Sequence, residues 1–153
     1  MHEQENLELV KQGYDAYAKG DLSRLLAIMS PDIEWDIPVI PGVPFTGMRH
    51  GRDQVAAFFR EVAESQQLRA FHIGEMIAQG DRVVVTGHHD WTVNKNGADF
   101  GTDWVEIFTV RNGQLVSFTE LLDTCAVANA YREQVTSALD PGAMPSAQCP
   151  SIH

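Results

Sequence analysis

Apolar residues recur along the chain at two periods, and the change from one to the other predicts where helices give way to strands. From Glu5 to Lys19, Leu7, Val10, Tyr14 and Tyr17 fall three to four residues apart, the stripe of an amphipathic helix. Gly20 ends it, and Asp21 is suited to cap a second short helix through Leu22, Leu25, Leu26 and Met29. Pro31 disfavours helical geometry at Ser30 and predicts a break there. The period then shortens to two: Ile33, Trp35 and Ile37 share one strand face, with Glu34 and Asp36 on the other. Pro41, Gly42, Pro44 and Gly47 predict an irregular loop from Pro38 to Gly51, either a flap over a pocket or a surface excursion. A third helix follows, with Val55, Phe58, Phe59, Val62 and Ala63 as its apolar stripe. Leu68 to Ala78 reads as a strand, and Gly80-Asp81 turns the chain back.

The stretch from Asp81 to Asp123 holds three β-branched and aromatic runs separated by Asn-Lys-Asn-Gly and Arg-Asn-Gly-Gln, the signature of an antiparallel meander. Thr124 to Val135 is again helix-compatible, and from Ser137 onward three prolines spell a tail or extended arm. Helices gathered on one side of a mainly antiparallel sheet make an α+β arrangement, with residues 1–136 as one domain and 137–153 as a Pro-rich tail. No glycine-rich phosphate loop argues for a nucleotide.

Size and charge narrow the function classes. A chain of 153 residues, 44% hydrophobic and 21% charged, can bury a sizeable core. Its net charge of −10 argues against nucleic acid or an anionic membrane as partner. No apolar run reaches membrane-spanning length, and the N-terminal residues lack the pattern of a secretory signal, so a cytoplasmic protein is expected. Cys125 and Cys149 are then expected as reduced thiols. With no metal-ligand spacing, neither a metal nor an organic cofactor is expected.

Chemistry is signalled by polar residues set inside apolar strands. Glu106 and Glu120 interrupt two of the meander's runs, and His88, His89 and Asp90 interrupt another. A buried carboxylate is costly unless paired or neutralised, so these positions predict a polar-studded concave face holding a small molecule. His88 and His89 point to opposite faces, so at most one reaches it. The last hairpin has two possible registers. A three-residue Arg111-Asn112-Gly113 loop would set Trp104 opposite Glu120 and Glu106 opposite Phe118, with both glutamates on one face. A two-residue Asn-Gly turn would shift the pairing by one and separate them.

Several strings together resemble the NTF2-like superfamily, in its SnoaL-like polyketide cyclase and ketosteroid isomerase-related branch. They are Tyr14 followed by Gly20-Asp21-Leu22, Pro31-Asp32-Ile33-Glu34-Trp35, Gly51-Arg52-Asp53, the run from Phe108 to Val116, and Glu120-Leu-Leu-Asp123-Thr, spanning about Leu7 to Tyr131. The resemblance implies a cone-shaped, cystatin-like fold: three N-terminal helices packed on a strongly curved, mixed, mainly antiparallel sheet, with a pocket in the cone. It also implies a homodimer formed through the outer sheet face, and it favours the register with Glu106 and Phe118 inside. Ketosteroid isomerases use an Asp base with a Tyr and a protonated acid as oxyanion donors. Carried over, the Tyr falls on Tyr14, the acid on Glu106 and the base near Asp36, where one extra residue separates the match from the following proline.

These readings converge on a small apolar ligand. Tyr14, Asp36, Glu106, Glu120 and His88 are the candidate catalytic residues, and Trp35, Phe59, Trp104, Phe108, Phe118 and Leu122 the candidate substrate-binding ones. The expected function is cofactor-independent acid/base chemistry on a carbonyl-type substrate: isomerisation, cyclisation, or hydration and hydrolysis. The alternatives are a ligand-binding or accessory protein using the same cone without catalysis, and a dimerising module with a filled cone.

Overall fold

The structure is a computed structural model and describes residues 2–132. Three helices and two strands open the chain: α1 (Glu3–Ala18), α2 (Leu22–Ala27), β1 (Met29–Ile37), β2 (Gly47–His50) and α3 (Arg52–Ser65). The meander follows as β3 (Gln66–Gln79), β4 (Arg82–Val93), β5 (Asp99–Arg111) and β6 (Gln114–Leu122), and α4 (Thr124–Arg132) closes the described chain. All six strands form one curled sheet in the order β2-β1-β6-β5-β4-β3, antiparallel except where β1 runs parallel to β6. Register shifts in β1, in β3 and at the β5–β6 hairpin each insert a bulge, and bulges bend and twist a strand, which is how the sheet closes over the helices.

Two element boundaries and one cysteine differ from the sequence reading. Met29 is the first residue of β1 rather than the end of α2, because its fully buried side chain belongs to the sheet's inner layer. The Pro38–Gly51 loop contains β2, whose four residues pair with β1 from Glu34 to Ile37. A strand so short, preceded by prolines, carries too little pattern to be seen in sequence. Cys125 on α4 is disulfide-bonded, not the reduced thiol expected. The Pro-rich tail from 137, and the last predicted residues of α4, lie outside the described residues.

The β5–β6 hairpin resolves the register in an unanticipated way. Asn112 (φ 52°) and Gly113 (φ 72°) form a two-residue turn with left-handed backbone at both positions, so Arg111 pairs with Gln114 and Val110 with Leu115. Alone, that turn would split the glutamates between faces. A bulge at Val116 then absorbs one residue, Thr109 pairs with Ser117, and from there Phe108 faces Phe118, Glu106 faces Glu120 and Trp104 faces Leu122. The expected pairing of Glu106 with Phe118 is therefore corrected: the two carboxyl groups are direct cross-strand partners.

Successive inner rows of the sheet, read through β4 and β5, are Trp91–Phe100, His89–Thr102, Gly87–Trp104, Val85–Glu106 and Val83–Phe108. Helix α1 lies across this face through Val10 and Tyr14, both buried. Gly87 is small for a reason: a Cβ there would lie 2.1 Å from Cζ2 of Trp104. The indole occupies that space and stacks on Tyr14 (centroids 6.1 Å, 21°) and Phe71 (5.3 Å, 25°). Among the described residues, no helix is long and apolar enough to cross a membrane.

Candidate functional site

Between the helices and the inner face of the sheet is a cavity of about 110 Å³. A single water needs only ~10–15 Å³ by the same measure, so the space suits an organic molecule rather than one trapped solvent. Its walls are aromatic and aliphatic. Trp35, Phe59, Phe108, Phe118 and Leu122, all expected to bind substrate, line it, and Tyr14, Glu106 and Glu120 supply its main polar group. Trp104 is 1% exposed and does not line the cavity; it forms the layer behind, holding Tyr14 and Phe71 in position.

The polar group is a chain of three side chains. The Tyr14 hydroxyl donates to Oε1 of Glu106 at 2.6 Å, and Glu106 and Glu120 share a further hydrogen bond. Two carboxylates facing each other in an apolar site cannot both ionise, so the pair retains a proton. Burial raises the pKa of both. The push is strongest on Glu120, where burial is the largest cause and the neighbouring Glu106 charge adds to it. At Glu106, burial is partly offset by the hydrogen bonds from Glu120 and Tyr14, which favour its anion. The resulting arrangement is a carboxylate at Glu106 with two donors on it, Tyr14 and protonated Glu120. Tyr14 and Tyr17 are themselves held neutral, their pKa values raised by burial and then by the Glu106 charge. This reverses the expected proton assignment, in which Glu106 was the protonated acid.

Two expected catalytic residues lie elsewhere. Asp36 pairs with Met48 and Thr119 on the outer sheet face, alternating with Trp35, whose side chain turns inward. The strand's two-residue period forbids both from reaching the cavity, so the base near Asp36 is corrected. His88 is also on the outer face, with Nδ1 2.8 Å from Asp103 and Nε2 3.0 Å from Asp90. Those bonds, Asp103's first, raise its pKa. Its neighbour His89 is the inward histidine: 7% exposed, lining the cavity, with its pKa lowered to about 4 chiefly by burial. Alternation put the two histidines on opposite faces, so at most one could reach the cavity; the one that does is His89, not the expected His88.

Other cavity residues carried no chemical signal in sequence. Ile40 and Phe45, from the Pro/Gly loop, are buried and line the cavity, so that loop covers the site. Phe71 lines the cavity beside Tyr14 and Tyr17 of α1, and Trp91 and Gln66 line it further along, where the Tyr131 hydroxyl of α4 donates to Oε1 of Gln66 at 2.7 Å. Among the described residues, no group of three or more His, Cys, Asp or Glu side chains could hold a metal ion.

A family profile for the SnoaL-like domain matches residues 10–118, which contain the second half of α1, all of α2 and α3, and every strand except the end of β6. The chain belongs to the SnoaL-like domain family. In fold, this SnoaL-like domain is similar to an NTF2-like protein from Burkholderia xenovorans LB400, with 36% identity over 84% of this chain and 96% of that one, at a TM-score of 0.77. An NTF2-like protein of unknown function from Burkholderia pseudomallei K96243 is 30% identical over 84% and 98% of the two chains, at 0.75. TerC, in a structure co-crystallized with polyporic acid, is 26% identical over 84% and 98%, at 0.72. Among curated proteins, none matches this chain significantly.

Proposed function

We propose that the protein is a cofactor-independent enzyme performing acid/base chemistry on a small, largely apolar carbonyl-type substrate, with Glu106 as base and Glu120 as acid. The observation that carries this reading is the Tyr14–Glu106–Glu120 chain inside an aromatic cavity. A pair holding one proton contains a base and an acid at once. Glu106 would take a proton from the carbon next to the carbonyl, while Glu120 returns one to the substrate, leaving the total unchanged. Tyr14, neutral and 2.6 Å from Glu106, would move its hydrogen bond to the developing enolate oxygen as the Glu106 charge is neutralised. The co-crystallisation of the related TerC with polyporic acid supports a small molecule as ligand of the fold.

The test joins binding to proton exchange. A thermal-shift screen of apolar carbonyl compounds, phenols and epoxides identifies a ligand, and deuterium uptake at its activated carbon is followed by NMR. Glu106→Gln is expected to slow exchange by about 10²–10⁴-fold while leaving binding largely intact. Unchanged exchange in the variant would remove Glu106 as base.

A non-catalytic binding role is the second reading. It is favoured by two observations: the Tyr14 proton is engaged by Glu106, and the expected Asp36 base faces outward. Saturable binding with no exchange and no product would select it. Homodimerisation through the outer sheet face belongs to the same proposal.

A further inference from the structure

The cavity has a second polar end that acid/base chemistry at the glutamates does not use. His89 and Trp91 lie on β4, and both line the cavity near α4. His89 pairs with Thr102, four residues along β5 from Glu106, so the two ends are separated by about 13 Å of strand. His89 and Trp91 are each 7% exposed, and their rings meet edge to face with centroids 5.5 Å apart. Yet His89 Nε2 and Trp91 Nε1 are both buried without a hydrogen-bond partner. Buried polar groups are almost always paired, and an unpaired one costs its full desolvation. Trp104 Nε1 and Trp35 Nε1 are also unpaired. Trp104 does not line the cavity; Trp35, which does, stacks on Phe118 of β6 and has no second unpaired cavity-lining ring nitrogen in ring contact with it, as His89 and Trp91 have in each other.

We propose that His89 and Trp91 form a subsite for an uncharged oxygen of the ligand, so that the substrate is an extended aromatic or polycyclic molecule carrying oxygen functions at both ends. This rests on the reading of the cavity as a ligand site and narrows its substrate class. The chemistry of the two nitrogens selects the group. An indole N–H only donates, so the ligand atom must accept. A neutral imidazole either accepts from a hydroxyl or, in its other tautomer, donates to a carbonyl. A phenolic or enolic hydroxyl satisfies both side chains at once, and a carbonyl satisfies both when Nε2 carries the proton. A carboxylate fits poorly, because it would be desolvated beside a ring that burial keeps neutral.

Calorimetry on the full chain at neutral pH with 4-hydroxybiphenyl and 4,4′-dihydroxybiphenyl tests this. The diol is expected to bind the wild type about tenfold more tightly than the mono-ol, the worth of one or two additional hydrogen bonds. In His89→Phe and in Trp91→Phe that advantage should shrink to about twofold or less, with mono-ol affinity little changed. The ligand-free His89→Phe protein should also melt about 2–4 °C higher, because an unpartnered buried nitrogen has been removed. A merely structural histidine would show the opposite shift. Equal binding of the two biphenols by the wild type, or a diol advantage that survives both substitutions, overturns the subsite. If neither compound binds while other probes do, the subsite fails alone; if no small molecule binds at all, the cavity reading fails with it. Should His89→Phe fold poorly, Trp91→Phe decides.

Discussion

The Glu106–Glu120 pair makes folding stability depend on pH in a direction opposite to that of an ordinary salt-bridged carboxylate. Burial first, and then the Glu106 charge, raise the Glu120 pKa well above the usual 4.5, so the folded chain holds a proton that the unfolded chain has lost. The stabilisation is therefore complete below about pH 4.5 and is lost as pH rises through the raised value. His89 acts in the other direction: its pKa is lowered from 6.5 to about 4, so its contribution is present above 6.5 and lost as pH falls toward 4. Above pH 7 the His89 contribution is constant. That of His88, whose raised pKa also makes its stabilisation fall as pH rises, is common to the wild type and a Glu120 variant, so the difference between the two isolates the carboxyl pair. Glu120→Gln keeps an amide donor toward Glu106 but cannot ionise. Its melting temperature is expected to fall less than that of the wild type between pH 7 and 9, the gap widening with pH. Parallel curves would show that Glu120 does not carry the retained proton.

At the scale of elements, the site depends on how β4, β5 and β6 are aligned, and Gly87 is where that alignment is least tolerant. An added methyl would meet Trp104 Cζ2 at 2.1 Å and the His72 carbonyl oxygen at 2.5 Å, so the indole must leave its stack with Tyr14 and Phe71. Gly87→Ala is expected to cost about 1–3 kcal/mol, as overpacking does, and to weaken ligand binding by displacing Tyr14. Urea denaturation with near-ultraviolet circular dichroism checks both; an unperturbed aromatic spectrum would mean the sheet accommodates the methyl. The same elements mark what could be read in advance. Strong alternation around Glu106 and Glu120 made the strands and the polar positions legible. The bulge at Val116 was not legible, because a bulge is a cross-strand mismatch, a property of two strands that neither shows alone. Asp36 failed for the opposite reason. Strand period already set it on the face away from Trp35, and only the family resemblance drew it toward the cavity.

For the whole molecule, the outer sheet face remains to be accounted for. Ile77, Val84 and Ile107 form one cross-strand row ending on Thr119, and Val105 pairs with Leu121 in the next. Ile77 and Leu121 are 55% and 52% exposed, which is unusual for large aliphatics lying beside further apolar side chains. A second copy of the chain is the occupant we propose, since a two-fold axis through such a face would set each apolar row against its equivalent. A stable dimer would bury roughly 800 Å² per partner, an area that requires most of the face rather than these two residues alone. Charge opposes this association. Each copy carries −10, so two copies repel, and the dimer should tighten as salt screens them. Light scattering coupled to size exclusion is therefore expected to give twice the chain mass of 17.0 kDa, with dissociation on dilution favoured at low ionic strength. Ile77→Glu combined with Leu121→Glu should weaken the dimer by at least about a hundredfold, because it buries like charges across the axis. A monomer at all concentrations and salt strengths would leave the outer face solvated and withdraw the dimer. A dimer unaffected by the double substitution would move the interface to another surface.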